Sequence, residues 1–443
     1  MELSERPRER RDFLRTVGGG VGVASLAPLF GSDTLGVLEA AAQQTVGVDP
    51  QQVAQDETFW REIQQAFSVS RSMINLNSGS VGACPTVVTD SLFRYVMQQE
   101  EAPAFQRGVL APRLETVREG LANQFGCDAE EIALMRSTTE AMQTVLLGLD
   151  LRRDDEVLVT AQEYPPMIGV LKRREQRDGI RIKTIDIPSP AESMDEIVNI
   201  FEQAMTVKTR LILVSHPTYL DGQFFPIKRI CEIAHQRGIE VAVDGAHSFG
   251  QIDIKHEDMD CDYYGSSLHK WLNAPKGTGM LYVRRAHIGK VWPMAHTPNG
   301  MDENIRKFEM GGTKTYGIFL SIGDALAFHR GVGPKRKEER LRYLTNYWAQ
   351  RLQAMPKVHF YTSLDPGMSC AIATIRLEGL SSAAIYKYLW DKHNILTAGF
   401  NLLGINGLRM SPNLFTTLDE LDQFCEVMER VANNGLPQPY SNM

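Results

Sequence analysis

Between residues 110 and 285 the sequence alternates short aliphatic runs with segments of helical periodicity, and this alternation constrains the fold more than any other feature. Runs at 156–160, 181–186, 210–215, 239–244 and 279–283 read as strands. Segments at 112–125, 139–149, 194–205 and 227–237 read as helices, the last stopped by Gly238. Strands joined by helical crossovers predict an α/β fold with a mostly parallel sheet covered on both faces. In such sheets ligands sit beyond the carboxyl ends of the strands.

The remaining chain divides around this region. A helix is predicted at 316–330, and the polar run 331–342 reads as a hinge to a smaller α+β domain. That domain is expected to hold a strand at 371–377 and helices at 382–392 and 418–433. The 443 residues, 43% hydrophobic and 23% charged, suit two or three globular domains. A net charge of −7 gives no electrostatic reason to bind nucleic acid. No apolar run of about 18 residues occurs in the body, which argues against stable membrane insertion.

The first 42 residues read as an address. Arg10-Arg11-Asp12-Phe13-Leu14 precedes a weakly apolar, Gly-rich run and then a small-residue stretch ending Ala40-Ala41-Ala42. Basic, apolar and A-x-A-like regions in that order describe an export signal, and the paired arginines resemble a twin-arginine signal. The expected location is periplasmic, reached through the twin-arginine export machinery. The six cysteines are scattered, with no C-x-x-C and no metal-type spacing, so no metal site is expected.

Four features at strand ends carry chemistry. Ser137-Thr138-Thr139-Glu140 opens a helix, where hydroxyls and free N–H groups suit a phosphate; taken alone, the feature is better explained as an ordinary N-cap with a capping-box Glu. Asp244 ends a strand and is followed by Gly245, which suits pairing with a protonated ring nitrogen, although an Asp there also caps helices. Lys270, in Ser266-Ser267-Leu268-His269-Lys270-Trp271, follows an expected strand, where desolvation would leave a nucleophilic amine able to form a Schiff base. Arg409, in Gly407-Leu408-Arg409-Met410-Ser411, could clamp a carboxylate bidentately. Taken in order, these match the needs of pyridoxal phosphate chemistry, in which the protein orients and tunes an electron-sink ring.

With these motifs the chain resembles the class V aminotransferase family of fold-type I enzymes, and within it the isopenicillin N epimerase-like branch. The likeness runs from about Leu76 to Glu429. It includes Asn77-Ser78-Gly79-Ser80, Gln162-Glu163-Tyr164, Ser215-His216, Asp244-Gly245-Ala246-His247, Phe308-Glu309, Gly312-Thr313 and Thr417-Leu418-Asp419-Glu420. The resemblance implies a pyridoxal 5'-phosphate cofactor on a mostly parallel seven-stranded sheet, with a small α+β domain completing the site. The corresponding divisions are an export signal at 1–42, an N-terminal arm at 43–75, a large cofactor-binding domain at 76–315 and a small domain at 316–443.

The resemblance also implies roles. Lys270 would carry the cofactor and move protons at Cα, Asp244 would hold the pyridine nitrogen, and His247 would reach the phenolic oxygen. Tyr164 would stack on the ring. Ser137, Thr138, Thr139, Ser267 and His269 would surround the phosphate, and Thr313 would meet the phosphate of the other subunit of a homodimer. Arg409, with Asn77, would bind a substrate carboxylate. Tyr219 stands where desulfurase-like relatives tend to carry a small amide, and is expected to shape the substrate pocket, to act as an acid, or simply to pack. Residues 397–408 contain no cysteine, which departs from the desulfurase pattern. Aminotransferase-like chemistry on an amino acid or peptide-borne residue is the leading expectation, with epimerisation and C–S lysis as alternatives. A non-catalytic phosphate-binding α/β protein is the competing class, but no G-x-x-x-x-G-K-[ST] supports it.

Overall fold

The computed structural model describes residues 45–442, and the export signal expected at 1–42 lies outside the described residues. Helices α1 (Pro50–Val53) and α2 (Glu57–Gln65) lead through a short strand, β1 (Ile74–Asn75), to α3 (Thr86–Glu101), α4 (Pro103–Leu110) and α5 (Leu114–Phe125). The alternating region follows as β2 (Ile132–Met135), α6 (Thr138–Gly148), β3 (Glu156–Thr160), α7 (Pro165–Asp178), β4 (Arg181–Ile185) and α8 (Met194–Ala204). It continues with β5 (Thr209–Ser215), α9 (Ile227–His235), β6 (Glu240–Asp244), β7 (Tyr263–Ser267) and β8 (Gly279–Val283).

These strands form a seven-stranded sheet in the order β2-β8-β7-β6-β5-β3-β4. All neighbours pair in parallel except β8, which runs antiparallel to both β2 and β7. The two-residue side-chain period divides the core cleanly. Leu158, Ile212, Val214, Val241 and Val243 face one helical layer with α5, α8 and α9, whereas Val157, Val159, Leu211, Leu213 and Ala242 face the other with α6 and α7. Continuous aliphatic strands are therefore required, because both faces are dry.

The remainder comprises α10 (Tyr316–Val332), α11 (Pro334–Gln353), β9 (Val358–Phe360), β10 (Ala373–Leu377), α12 (Ser382–His393), β11 (Ile395–Leu396), β12 (Ala398–Leu402), β13 (Ile405–Met410) and α13 (Leu418–Asn434). A four-stranded antiparallel sheet, β12-β13-β10-β9, packs on the apolar faces of α11, α12 and α13. Helix α13 opens with a capping box in which Thr417 and Glu420 satisfy each other's backbone N–H. Strand β1 pairs in parallel with β11, and Ile74 and Leu76 are buried in this second core. The pairing continues as Ser411 N–H donates to the Leu76 carbonyl (2.8 Å) and Ser78 N–H to the Ser411 carbonyl (3.1 Å).

The polar run 331–342, expected as a hinge, is helical apart from Gly333. Helix α10 ends at Val332, Gly333 takes φ 91°, and Pro334 starts α11 at once. The charges of α11 turn inward and find partners. Arg340 is fully buried and donates to the Ala54 carbonyl (2.9 Å) and to Glu57 (3.0 Å), while Glu338 binds Arg342 (2.8 Å) and the Asp253 N–H (3.1 Å). Composition reads such a run as solvated; helical spacing with paired heads buries it.

Candidate active site

Strands β2, β3, β5, β6 and β7 all end on one edge of the sheet, and the residues just beyond them line a cavity of about 370 Å³. Of the residues singled out in the sequence, Ser137, Thr138, Thr139, Tyr164, Tyr219, Asp244, His247, Ser267, His269, Lys270 and Arg409 line it together. The strand-end rule for α/β sheets accounts for this convergence.

At the start of α6, Ser137 both caps the helix and lines the cavity: its Oγ accepts the Glu140 N–H (3.2 Å). Glu140 itself reaches back to the Arg136 N–H (2.6 Å) and guanidinium (2.8 Å). Thr138 is tied to the end of β7, its N–H donating to Ser267 Oγ (2.9 Å) and its hydroxyl 2.8 Å from the same atom. His269 Nδ1 donates to the Thr278 carbonyl (3.0 Å). A helix N-terminus with fixed hydroxyls is a prepared anion site.

Asp244 is buried, with Oδ1 accepting the Ala246 N–H (3.1 Å). Burial pushes its carboxyl above the usual range, while that N–H and Lys270 oppose the rise. Lys270 Nζ lies 3.2 Å from His247 Nε2, and burial lowers its pKa to about 8 against the pull of Asp244. On its other side His247 Nδ1 accepts the Trp271 indole N–H (3.2 Å). Burial, with Lys270 and Arg409 nearby, holds His247 well below its ordinary pKa and therefore neutral. Beneath Tyr164, the fully enclosed Glu163 accepts from Ser215 and Thr160, and burial raises its pKa to about 7.

Arg409 forms the opposite wall. Its guanidinium donates to the Tyr219 carbonyl (2.7 Å), Asn77 Oδ1 (2.9 Å) and Ser80 Oγ (3.0 Å) and lies 5.1 Å from the centre of the Phe400 ring. Its buried Nε has no partner among the described residues. Burial lowers its pKa to about 10, so it remains a cation at neutral pH. Asn77 supports Arg409 from behind rather than lining the cavity. The Tyr219 hydroxyl is also buried without a partner among the described residues, its pKa pushed up to about 12 chiefly by burial. Its ring meets Tyr164 edge-on at 5.3 Å.

The lysine loop is braced from outside the sheet. Buried Lys337 of α11 donates to the Trp271 carbonyl and to Asn273 Oδ1 (3.0 Å), and Asn273 Nδ2 donates to the Ala83 carbonyl (2.9 Å). Gly82 N–H donates to the His269 carbonyl (3.0 Å), and a Cβ at Gly82 would sit 2.1 Å from the Lys270 carbonyl oxygen. Sequence reasoning assigned no role to Trp271, Lys337, Ser80 or Phe400, and Lys337 and Phe400 carry no local signal that would have identified them. Thr313 is exposed and lines a neighbouring cleft of about 670 Å³ that shares Ser137 and Thr139 with the first cavity. It is not brought into the cavity of its own chain.

Asp244, Lys270 and Arg409 are thus enclosed around one space, and their polar partners are backbone groups, an amide, a hydroxyl and a neutral imidazole. Buried charges of this kind are costly unless a ligand compensates them. A cationic ring nitrogen for Asp244, an electrophilic carbonyl for Lys270 and an anion at α6 fit the set. The sheet, with Asp244 ending β6 and Lys270 following β7, is that of the fold-type I class of pyridoxal-phosphate-dependent enzymes. The chain belongs to the class V aminotransferase family, whose model, Aminotransferase class-V, matches residues 84–424; the family uses pyridoxal phosphate.

The chain is 30% identical over 394 residues to the isopenicillin N epimerase of Amycolatopsis lactamdurans, covering 85% of this chain and 99% of that one. Among solved structures it resembles the apo cysteine desulfurase of Thermococcus onnurineus NA1, with TM-score 0.75, 20% identity and coverage of 85% and 98%. It also resembles the cystine C-S lyase C-DES in complex with its reaction product cysteine persulfide, with TM-score 0.73, 22% identity and coverage of 83% and 99%.

Proposed function

We propose that this chain is an exported, homodimeric pyridoxal-phosphate enzyme acting at Cα of an amino acid, or of a peptide-borne residue with a free carboxylate, with an aminotransferase-like outcome. The observation that carries this reading is the enclosure of the Asp244 carboxyl, the Lys270 amine and the Arg409 guanidinium around one cavity. The bound cofactor supplies an electron sink conjugated to the substrate amine.

The chain's own residues supply the rest. Thr138, Ser267 and the start of α6, with Ser137, Thr139 and His269 beside them, bind the phosphate. Asp244 keeps a proton on the ring nitrogen, because a buried carboxylate favours a cationic partner. His247 and Tyr164, both lining the cavity, would meet the cofactor's phenolic oxygen and its ring face. Lys270, with its pKa near 8, takes and returns the Cα proton close to neutral pH. Arg409, its Nε unused, clamps the substrate carboxylate.

No cysteine lines the cavity, which supports chemistry at Cα over sulfur transfer to an enzyme thiol. A second reading, epimerisation, is favoured by the Tyr219 hydroxyl, a proton carrier at the cavity wall without a partner among the described residues, and by the likeness to isopenicillin N epimerase.

Dimerisation is supported by the apolar side chains that α3 and α4 expose, Phe93, Met97 and Phe105 among them, and by Met294 and Met310, which line the same cleft as exposed Thr313. In that assembly Thr313 would reach the partner's phosphate. Export rests on the twin arginines: Arg10→Lys with Arg11→Lys should retain precursor in the cytoplasm, and unchanged secretion would contradict it.

Purified protein given pyridoxal phosphate should turn yellow and bleach with borohydride, and Lys270→Ala should stay colourless. A colourless wild type would overturn the reading. With candidate substrates in deuterated water, an oxo-acid product indicates transamination. Deuterium at Cα with racemisation indicates epimerisation, and released side-chain fragments indicate a lyase.

A further inference from the structure

We propose that Trp271 is a positioning residue that locks His247 in its Nε2–H form, so that this histidine donates toward the Lys270 amine. The inference rests on the reading of Lys270 as the cofactor lysine.

An indole N–H can only donate, and a neutral imidazole carries one donor and one acceptor nitrogen. Trp271 Nε1 lies 3.2 Å from His247 Nδ1, so Nδ1 must offer its lone pair and the proton must sit on Nε2. The contact has little freedom to rearrange. Trp271 is fully buried, its carbonyl is held by Lys337, and the His247 carbonyl is held by Gln251 Nε2 at 2.6 Å.

Nε2 in turn lies 3.2 Å from Lys270 Nζ. With the proton on Nε2, that contact is a hydrogen bond only when the lysine is a free amine; an ammonium would oppose N–H to N–H. The other charged or titratable groups around the pair are Asp244, which favours the ammonium, Arg409, which disfavours it, and His269, whose own pKa burial lowers. The Trp271–His247 contact therefore adds to burial in keeping Lys270 nucleophilic against the field of Asp244. Without the indole donor, His247 can carry its proton on Nδ1 and accept from the ammonium at Nε2, which stabilises the unreactive form.

The test compares wild type with Trp271→Phe, following the pH dependence of the rate at which cofactor-free full-length protein captures pyridoxal phosphate, read as visible absorbance. Loss of one hydrogen bond that favours the amine should move the midpoint upward by about one pH unit and slow capture about tenfold at neutral pH. In a His247→Gln background, Trp271→Phe should add no further shift. An unchanged midpoint in Trp271→Phe overturns the proposal.

Nitrogen-15 spectra of wild-type histidines should assign Nδ1 of His247 as unprotonated and Nε2 as protonated. The reverse overturns the proposal too, and this measurement decides the matter if Trp271→Phe does not fold. A wild type that never captures the cofactor refutes the reading of Lys270, and the nitrogen spectra then still test the lock.

Discussion

The Arg409 guanidinium donates to the Tyr219 carbonyl at 2.7 Å while its Nε, buried at the same cavity wall, has no partner among the described residues. Arg409 is thus oriented by this carbonyl and by Asn77 and Ser80, with donor capacity left over for a planar anion.

Replacing Arg409 with lysine keeps the charge and loses the fork. Charge-assisted hydrogen bonds contribute about 1.5–3 kcal/mol each, so kcat/KM for a carboxylate substrate should fall roughly 10- to 100-fold. Steady-state kinetics with a carboxylate substrate and its amide analogue check this: the amide should lose far less.

Tyr219→Phe removes a buried hydroxyl with no partner among the described residues, so the protein should lose no stability and gain about 1 kcal/mol, read as a raised melting temperature. If Tyr219 carries a proton to Cα, racemisation in deuterated water should collapse while exchange at one face persists. Racemisation at the wild-type rate would exclude it.

Glu163 links pH to stability. Its folded pKa, raised from 4.5 to about 7, means that the folded state binds more protons than the unfolded state within that window. Stability of the cofactor-free protein should therefore fall as pH rises from 4.5 to about 7, by up to about 1.4 kcal/mol per pH unit from this group. Glu163→Gln, able to keep the contacts to Ser215 and Thr160, should flatten the slope. Denaturant midpoints measured across the window test it, and parallel slopes would refute it.

Lys337→Met leaves the Trp271 carbonyl and Asn273 Oδ1 without their donor, at a cost of about 2 kcal/mol. Burial lowers the Lys337 pKa from 10.5 to about 7, so wild-type stability should gain as pH rises across that range, and the variant should lack this gain. Melting curves at several pH values give both readings.

Asp244 was legible in the sequence because it ends a short apolar run that reads as a strand, and Lys270 because its Ser-Ser-Leu-His-Lys motif belongs to the family pattern; the strand-end rule puts such positions at the ligand. Five of the seven strands were legible from the same alternation; β2, only Ile-Ala-Leu-Met, was too short to stand out from the helices around it, β7, Tyr-Tyr-Gly-Ser-Ser, is not an aliphatic run, and the count of seven came from the family resemblance. Lys337 and Arg340 fell within a polar run read as a hinge, and only their tertiary partners reveal that this helix faces inward. Phe400 sits in β12, whose mixed exposure gives no clean alternation, and its place beneath Arg409 depends on the β12–β13 pairing. The role of Trp271 needs the position of His247, twenty-four residues away in sequence and adjacent only after β6 and β7 pair.

The pairing of β1 with β11 bears on the order in which the protein becomes competent. Asn77 and Ser80, which grip Arg409, follow directly on a strand whose partner is separated from it by some three hundred residues. During synthesis the cofactor cradle around β2 to β7 can be complete while the carboxylate clamp is still in two unjoined pieces. A nascent chain therefore acquires the means to hold its cofactor before it can hold a substrate.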